Sequence, residues 1–156
     1  MFRAMRRHAQ QLDQETCEEL LRTQKRGVLA VLGDDAYPYA VPLNFVYCDG
    51  ALYFHSAIEG HKLDAIAKHP KASFCVHDDG VLEEGSWWYH VCSVIAFGHI
   101  ERVADEDEVV RALRRLAEKY FPPTIDIDAD IAKNLRRVAV LRLTIEHLSG
   151  KHVREN

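Results

Sequence analysis

The hydrophobic positions of this chain form short runs of the length and spacing that predict strands. Residues 28–32 are wholly apolar, and residues 37–47 continue as a second strand that Pro42 interrupts. Because proline has no amide hydrogen to donate to a sheet, Pro42 predicts either a bulge or a sheet edge. The dipeptide Asp49-Gly50 favours a tight type I′ turn, so residues 51–55 should pair back onto the second strand.

The other apolar segments predict three more strands and three helices. Asp13 and Asp105 stand where helix N-caps are expected. The strands cover residues 71–77, about 90–103 and 138–148, and the helices follow Asp13, cover 59–69 and cover 106–120. Six strands with helices between them and no internal repeat predict a mainly β (α+β) fold in a single domain, residues 1–156. This pattern favours a small closed barrel over a doubly wound sheet.

Charge and composition exclude several classes of partner. Lys and Arg total 20 against 24 Asp and Glu, a formal net charge of -4, so no basic field attracts nucleic acid or an anionic membrane. No apolar stretch approaches the roughly 20 residues of a membrane span, and the polar start leads into no signal core, so a cytoplasmic protein is expected. The 9 histidines and 4 cysteines lack metal-ligand spacing, which predicts no metal site and mostly buried free thiols.

A candidate anion site lies where the third strand meets the second helix. His55 and Ser56 end the strand, and Lys62 stands in the first turn of the helix. Free backbone N–H groups and the helix dipole favour an anion at a helix start, so a hydroxyl and an ammonium there suit a phosphate. Without further support, the simpler interpretation is that His55 is a histidine at a barrel rim and Lys62 a solvated helix lysine. Neither a P-loop nor a dinucleotide glycine fingerprint is present.

Three longer motifs occur in a fixed order along the chain. They are Val41-Pro42-Leu43-Asn44-Phe45, Tyr53-Phe54-His55-Ser56-Ala57 and Ser93-Val94-Ile95-Ala96-Phe97-Gly98. With these motifs the chain resembles the pyridoxamine 5′-phosphate oxidase-like flavoproteins, and within them the nitroimidazole-resistance branch, from about Leu20 to Lys151. The resemblance implies a six-stranded split β-barrel that forms a homodimer and holds FMN between its subunits.

The resemblance also assigns cofactor contacts to individual residues. It implies ring contacts for Val41, Pro42, Leu43 and Asn44, and phosphate contacts for His55, Ser56 and Lys62. Trp88, Ser93 and Val94 would come from the second chain, and Lys151 closes the set of expected contacts. Cys92 stands where relatives often carry a basic residue, so one contact of the family is in doubt. Within the run Trp87-Trp88-Tyr89, we expect one ring in the core and another, with Trp88 favoured, over the flavin.

The function implied by the resemblance is reduction of small electrophiles, such as nitro-aromatics, by a flavin that NAD(P)H reduces. The flavin does the chemistry, so no side chain is required as an acid or base. The acidic residues Asp126, Asp128 and Asp130 are interpreted as loop and helix-start charges. Two alternatives stay open: a flavin-binding or sensing module without efficient turnover, and a haem-binding split barrel with a histidine ligand.

Overall fold

Aspartate side chains set the start of three helices. The computed structural model describes residues 2–153, and within them the helices are α1 (Gln14–Thr23), α2 (His61–Lys68), α3 (Glu106–Tyr120) and α4 (Ile127–Asn134). Asp13 accepts a hydrogen bond from the amide of Thr16 at 2.8 Å, and Asp105 accepts one from Glu108 at 2.7 Å. Both predicted N-caps are confirmed. Of the later acidic residues interpreted as loop and helix-start charges, Asp126 caps α4, a helix that the sequence analysis did not predict.

The strands confirm the six predicted ones and add two. They are β1 (Arg26–Leu32), β2 (Pro38–Asn44), β3 (Val46–Cys48), β4 (Ala51–Ala57), β5 (Lys71–His77), β6 (Val81–Leu82), β7 (Tyr89–Arg102) and β8 (Val138–Val153). The predicted second strand is divided into β2 and β3 at Phe45, and β6 is a two-residue strand paired with β7. Asp49 and Gly50 have φ angles of 51° and 76°, which confirms the type I′ turn between β3 and β4.

The sheet is antiparallel throughout and curls until its two edges come together. Its order is β2-β1-β5-β7-β8-β4-β3, so β2 and β3 lie at opposite ends of the order. The two strands are nevertheless joined in the chain by one residue, Phe45. This arrangement is a split β-barrel with flanking helices, and Pro42 lies on the edge strand β2 as its missing amide hydrogen predicted.

The hydroxyl of Tyr120, at the end of α3, holds the change of direction at Phe45. It accepts a hydrogen bond from the Phe45 amide at 2.9 Å, and it can donate to the carbonyl of Phe45, at 2.8 Å, or to that of Lys25. The Phe45 ring is fully buried. The strand change therefore depends on a residue that lies 75 positions further along the chain.

Aromatic rings and small residues fill the barrel. The ring of Phe74 lies 4.8 Å from that of Phe45 and 5.0 Å from that of Phe54, both in edge-on geometry. The register of β7 against β8 shifts between Phe97 and Gly98. A Cβ atom at Gly98 would lie 2.0 Å from the carbonyl oxygen of Thr144, so only glycine fits the close approach of the two strands.

Candidate functional site

The end of β4 and the start of α2 bring together His55, Ser56 and Lys62. Phe54 points into the barrel and is fully buried, so strand alternation directs His55 to the outside. Gly60 precedes α2 with a φ angle of 131°, and no side chain caps the helix. The first amide groups of α2 are therefore not satisfied by a capping side chain, as an anion site requires.

Electrostatics make this region favourable for an anion. Burial lowers the pKa of Lys62 below its ordinary value, and within residues 2–153 no carboxylate pairs with its ammonium group. Burial also lowers the pKa of His55, and the positive charge of Lys62 lowers it further. The two groups are thus close enough to repel each other. An anion bound between them would stabilise the charged forms of both side chains, and so would oppose the lowering of both pKa values.

A cavity of about 250 Å³ opens beside His55, between the barrel and the helices α3 and α4. His55 and Asn44 form its barrel side, so the structure brings together one residue from each of the first two motifs. Leu116, Ala117 and Ile131 form much of its helical side, and each of them is at most 7% exposed. Sequence reasoning missed this cavity because α4, which forms one wall, was not predicted.

The other predicted β2 residues lie along the sheet edge that continues from Asn44. Val41 pairs with Leu29, Pro42 with Val28 and Leu43 with Gly27, all on β1. Pro42 is exposed, whereas Leu43 packs against the core. Since β2 is at an end of the strand order, the outward side of its backbone carries no further strand among the described residues.

A second group of predicted residues lies on the long pair β7 and β8. Ser93 stands opposite Lys151, and Val94 stands opposite Gly150. The chain near the N-terminus covers the same place, because Gln11 forms a bridge with Lys151 and the amide of Leu12 donates to the carbonyl of Gly150 at 3.0 Å. The Val94 side chain is fully buried in the core, while Ser93 and Lys151 are partly exposed.

The aromatic run before β7 differs from its prediction. No ring of Trp87, Trp88 or Tyr89 is in the core, so the expectation of one buried ring is wrong. Trp87 and Trp88 lie in the loop between β6 and β7, and Tyr89 is the first residue of β7. Trp87 is 76% exposed, and its ring stacks on that of Trp88 at 3.8 Å, which leaves Trp88 only partly exposed.

The two groups of predicted residues lie far apart within one chain. His55 pairs with Val140 near the start of β8, and Ser93 pairs with Lys151 near its end. Lys151 follows Val140 by 11 residues, which corresponds to about 36 Å along an extended strand. The two groups therefore lie toward opposite ends of β8.

The family assignment rests on a match that covers most of the chain. The family model described as pyridoxamine 5′-phosphate oxidase matches residues 13–152. The chain belongs to the pyridoxamine 5′-phosphate oxidase family. The match includes both groups of residues described above. A search of the curated proteins gives no significant match.

Solved structures of this family and its neighbours share the fold. A proposed 5-nitroimidazole antibiotic resistance protein from Bacteroides thetaiotaomicron is 22% identical, with a TM-score of 0.77 over 91% of this chain and 86% of its own. A FAD-binding protein from Mesorhizobium loti is 24% identical, with a TM-score of 0.66 over 92% and 97%. A FAD and heme binding protein from Mycobacterium smegmatis is 25% identical, with a TM-score of 0.76 over 94% and 74%. The chain therefore shares its split-barrel fold with proteins described as binding FAD.

The helices of this family member are short or strongly charged. In the described part of the chain, no helix has both the length and the apolar character needed to cross a membrane.

Proposed function

We propose that the protein binds FMN and acts as a flavin-dependent oxidoreductase, taking electrons from NADH or NADPH and reducing small electrophiles such as nitro-aromatics. When bound, the flavin supplies the electron transfer. The chain's own residues hold the cofactor, keep water from it and leave room for an acceptor.

The observation that carries this proposal is the environment of Lys62. Its ammonium group is partly buried without a carboxylate partner among residues 2–153, and it lies at the uncapped start of α2, close enough to His55 to act on its pKa. A terminal phosphate fits this place, because it would accept hydrogen bonds from the free amides, the hydroxyl and the ammonium group. The fit to a terminal phosphate, and the lack of a dinucleotide glycine fingerprint, favour FMN over FAD.

The edge strand β2 supplies the surface for the flavin ring. Its backbone is hydrogen bonded to β1 on one side only. Backbone groups alternate in direction along a strand, so every second residue of the segment Val41 to Asn44 presents its backbone polar groups outward, where they are suited to the polar edge of an isoalloxazine ring. Pro42 keeps that edge free of another strand because it cannot donate to a ladder.

A homodimer completes the site. Ser93 and Val94 on β7 pair with Lys151 and Gly150 near the end of β8, whereas His55 pairs with Val140 near its start, about 36 Å away along an extended strand. A two-fold axis would bring this group from one subunit against His55, Ser56 and Lys62 of the other. An isologous interface of this kind gives two equivalent FMN sites per dimer. The side chain of Val94 is buried and its backbone is paired with β5 and β8, so Val94 would position Ser93 beside the cofactor.

The first test measures the affinity for FMN and for riboflavin, which lacks the phosphate. Lys62→Ala should weaken FMN binding by about 1.5–3 kcal/mol through loss of a charge-assisted hydrogen bond. Riboflavin affinity should stay unchanged. Lys68→Ala is the matched control, because Lys68 lies on the same helix but is exposed and pairs with Asp34 at 3.0 Å. Equal FMN affinity in the two variants would show that Lys62 is a solvated lysine that makes no contact with the phosphate.

The second test separates turnover from storage or sensing. The absorption spectrum of the purified protein distinguishes flavin from haem, and release of the chromophore distinguishes FMN from FAD. Anaerobic addition of NADH or NADPH should bleach the flavin, and a nitro-aromatic should then restore its absorption. A flavin that stays oxidised with both nucleotides would favour the non-catalytic module.

A further inference from the structure

The cavity between α3 and α4 has the chemistry of a small-molecule site that neither the family match nor the motifs assign. Its volume of about 250 Å³ lies just below the range of about 300–1,000 Å³ that drug-sized ligands occupy, so it suits a molecule with a single ring. Leu116, Ala117 and Ile131 present apolar surface to it and are almost fully buried. Apolar walls around a small open cavity suit an apolar ring, which would displace water from them on binding.

The charges around the cavity select against anions. Among the described residues that line it, none is a lysine or an arginine, and Asp130 contributes a carboxylate. That carboxylate accepts a hydrogen bond from Asn134 at 3.0 Å within α4, so the two polar groups largely satisfy each other. Burial and the nearby Lys62 lower the pKa of His55, which disfavours its charged form. Lys62 is not among the lining residues, so an anionic ligand inside the cavity would lose its hydration without gaining a cationic partner there.

The position of the cavity connects it to the flavin site. His55 and Asn44 form the wall on the barrel side, and His55 is also part of the phosphate region at α2. The opposite wall is α4, which an ion pair between Arg114 and Asp128 fastens to α3. Phe121 is 37% exposed and lies at the mouth.

From these observations we infer that the α3–α4 cavity is the binding pocket for the electron acceptor, and that it selects neutral single-ring aromatic molecules over anionic ones. The identification of the ligand as an electron acceptor rests on the proposed oxidoreductase function. The selection itself is a binding property of this chain, measurable without turnover.

The experiment compares two probes of the same shape, 4-nitrotoluene and 4-nitrobenzoate, by calorimetric or NMR titration of the full chain with and without FMN. The neutral probe should bind at least about tenfold more tightly than the anion, because only the anion must lose a charged group's hydration. Equal affinities, or tighter binding of the anion, would overturn the inference.

Two variants locate the binding in the cavity. Ala117→Phe adds a ring inside the cavity and should weaken 4-nitrotoluene binding at least about tenfold. Glu118→Phe adds the same ring at the neighbouring, exposed position and should leave the affinity unchanged. Phe121→Ala, at the partly exposed mouth, should let the larger 1-nitronaphthalene bind. This second variant still tests the location of the site if Ala117→Phe does not fold. Unchanged binding of both neutral probes in these variants would place the site elsewhere.

The outcomes also separate this inference from the proposed function. A chain that binds FMN but shows no preference for the neutral probe contradicts the acceptor pocket alone. A chain that shows the preference and its loss in Ala117→Phe, but binds no flavin, contradicts the oxidoreductase function and leaves a neutral-ligand pocket.

Discussion

Lys119, near the end of α3, carries a buried amine next to the strand change at Phe45. Its Nζ atom lies 4.1 Å from the centre of the Phe45 ring and has no hydrogen-bond partner in the described chain. Burial lowers the pKa of Lys119 to about 8, and the positive charge of Lys25 adds to the effect. The contact with the aromatic ring favours the ammonium form, but it offsets only part of the free-energy cost of removing that charge from water.

The shifted pKa predicts a stability that depends on pH. Because the folded-state pKa of about 8 lies below the ordinary 10.5, the unfolded chain binds this proton more tightly. The loss of folding stability caused by burying the ammonium group is complete below pH 8, and it disappears as the pH rises to about 10.5. Lys119→Met should therefore raise the free energy of unfolding at pH 7 by about 1–2 kcal/mol, less than the full shift implies because the residue is partly solvated.

Urea denaturation at pH 7 and pH 10 checks this expectation. The gain from Lys119→Met should be smaller at the higher pH. Lys68→Met is the control, since Lys68 is exposed and Asp34 raises its pKa. A gain that is absent at pH 7, or that stays constant between the two pH values, would contradict the buried-amine account.

Among the elements, the junction of β2 and β3 depends on one hydroxyl group. Tyr120→Phe removes the acceptor for the Phe45 amide and the donor to a neighbouring carbonyl. The amide would be left unsatisfied in a fully buried residue, so the variant should lose about 1–3 kcal/mol of stability. Chemical denaturation measures the loss, and hydrogen exchange of the Phe45 amide locates it.

Tyr37→Phe provides the comparison for the junction. Tyr37 is 74% exposed, so the same atom is removed without effect on buried hydrogen bonds. If Tyr120→Phe is no less stable than Tyr37→Phe, or if Phe45 keeps its protection, the junction is held by packing alone.

Elements with local signals could be predicted from the sequence, and elements that depend on distant partners could not. The caps Asp13 and Asp105 and the turn Asp49-Gly50 act on their own neighbours, and all appear as predicted. The division of the second strand at Phe45 depends on Tyr120, 75 residues away, and nothing near Phe45 signals it.

The sequence of α4 carries one weak and one clear indication of a helix. It has only 8 residues, and Ile131 is its buried apolar residue, so its hydrophobic pattern is weak. Its cap Asp126 is followed by Asp128 and Asp130 in the first turn, which is the charge pattern of a helix start. Contacts with α3, including the Arg114–Asp128 pair, supply the remaining stabilisation. The cavity was missed for the same reason.

For the whole molecule, the length of β8 determines how a cofactor site can be built. The sequence motifs identified two groups of residues, and the structure separates them by about 36 Å of strand within one chain. The sequence alone could not give this separation, because it follows from the register of β4 and β7 on β8. In the proposed dimer, FMN binds only the assembled form and should stabilise it by mass action.

The shared site is tested most directly by mixing two damaged chains. Lys62→Ala removes the phosphate contact, and Ser93→Trp adds bulk where the partner's flavin ring would lie. Each variant alone should bind FMN poorly, because both sites of its dimer carry the same damage. In a mixed dimer, one site combines the intact Lys62 of one chain with the intact Ser93 of the other, and the second site carries both changes.

The measurement is FMN titration of the two variants, separately and after unfolding and refolding them together, with the dimer followed by light scattering. The account predicts that the mixture regains binding of wild-type affinity, with one FMN per mixed dimer. If each chain instead builds its own complete site, every site in the mixture stays damaged. A mixture that forms dimers but recovers no FMN binding would contradict the shared flavin site.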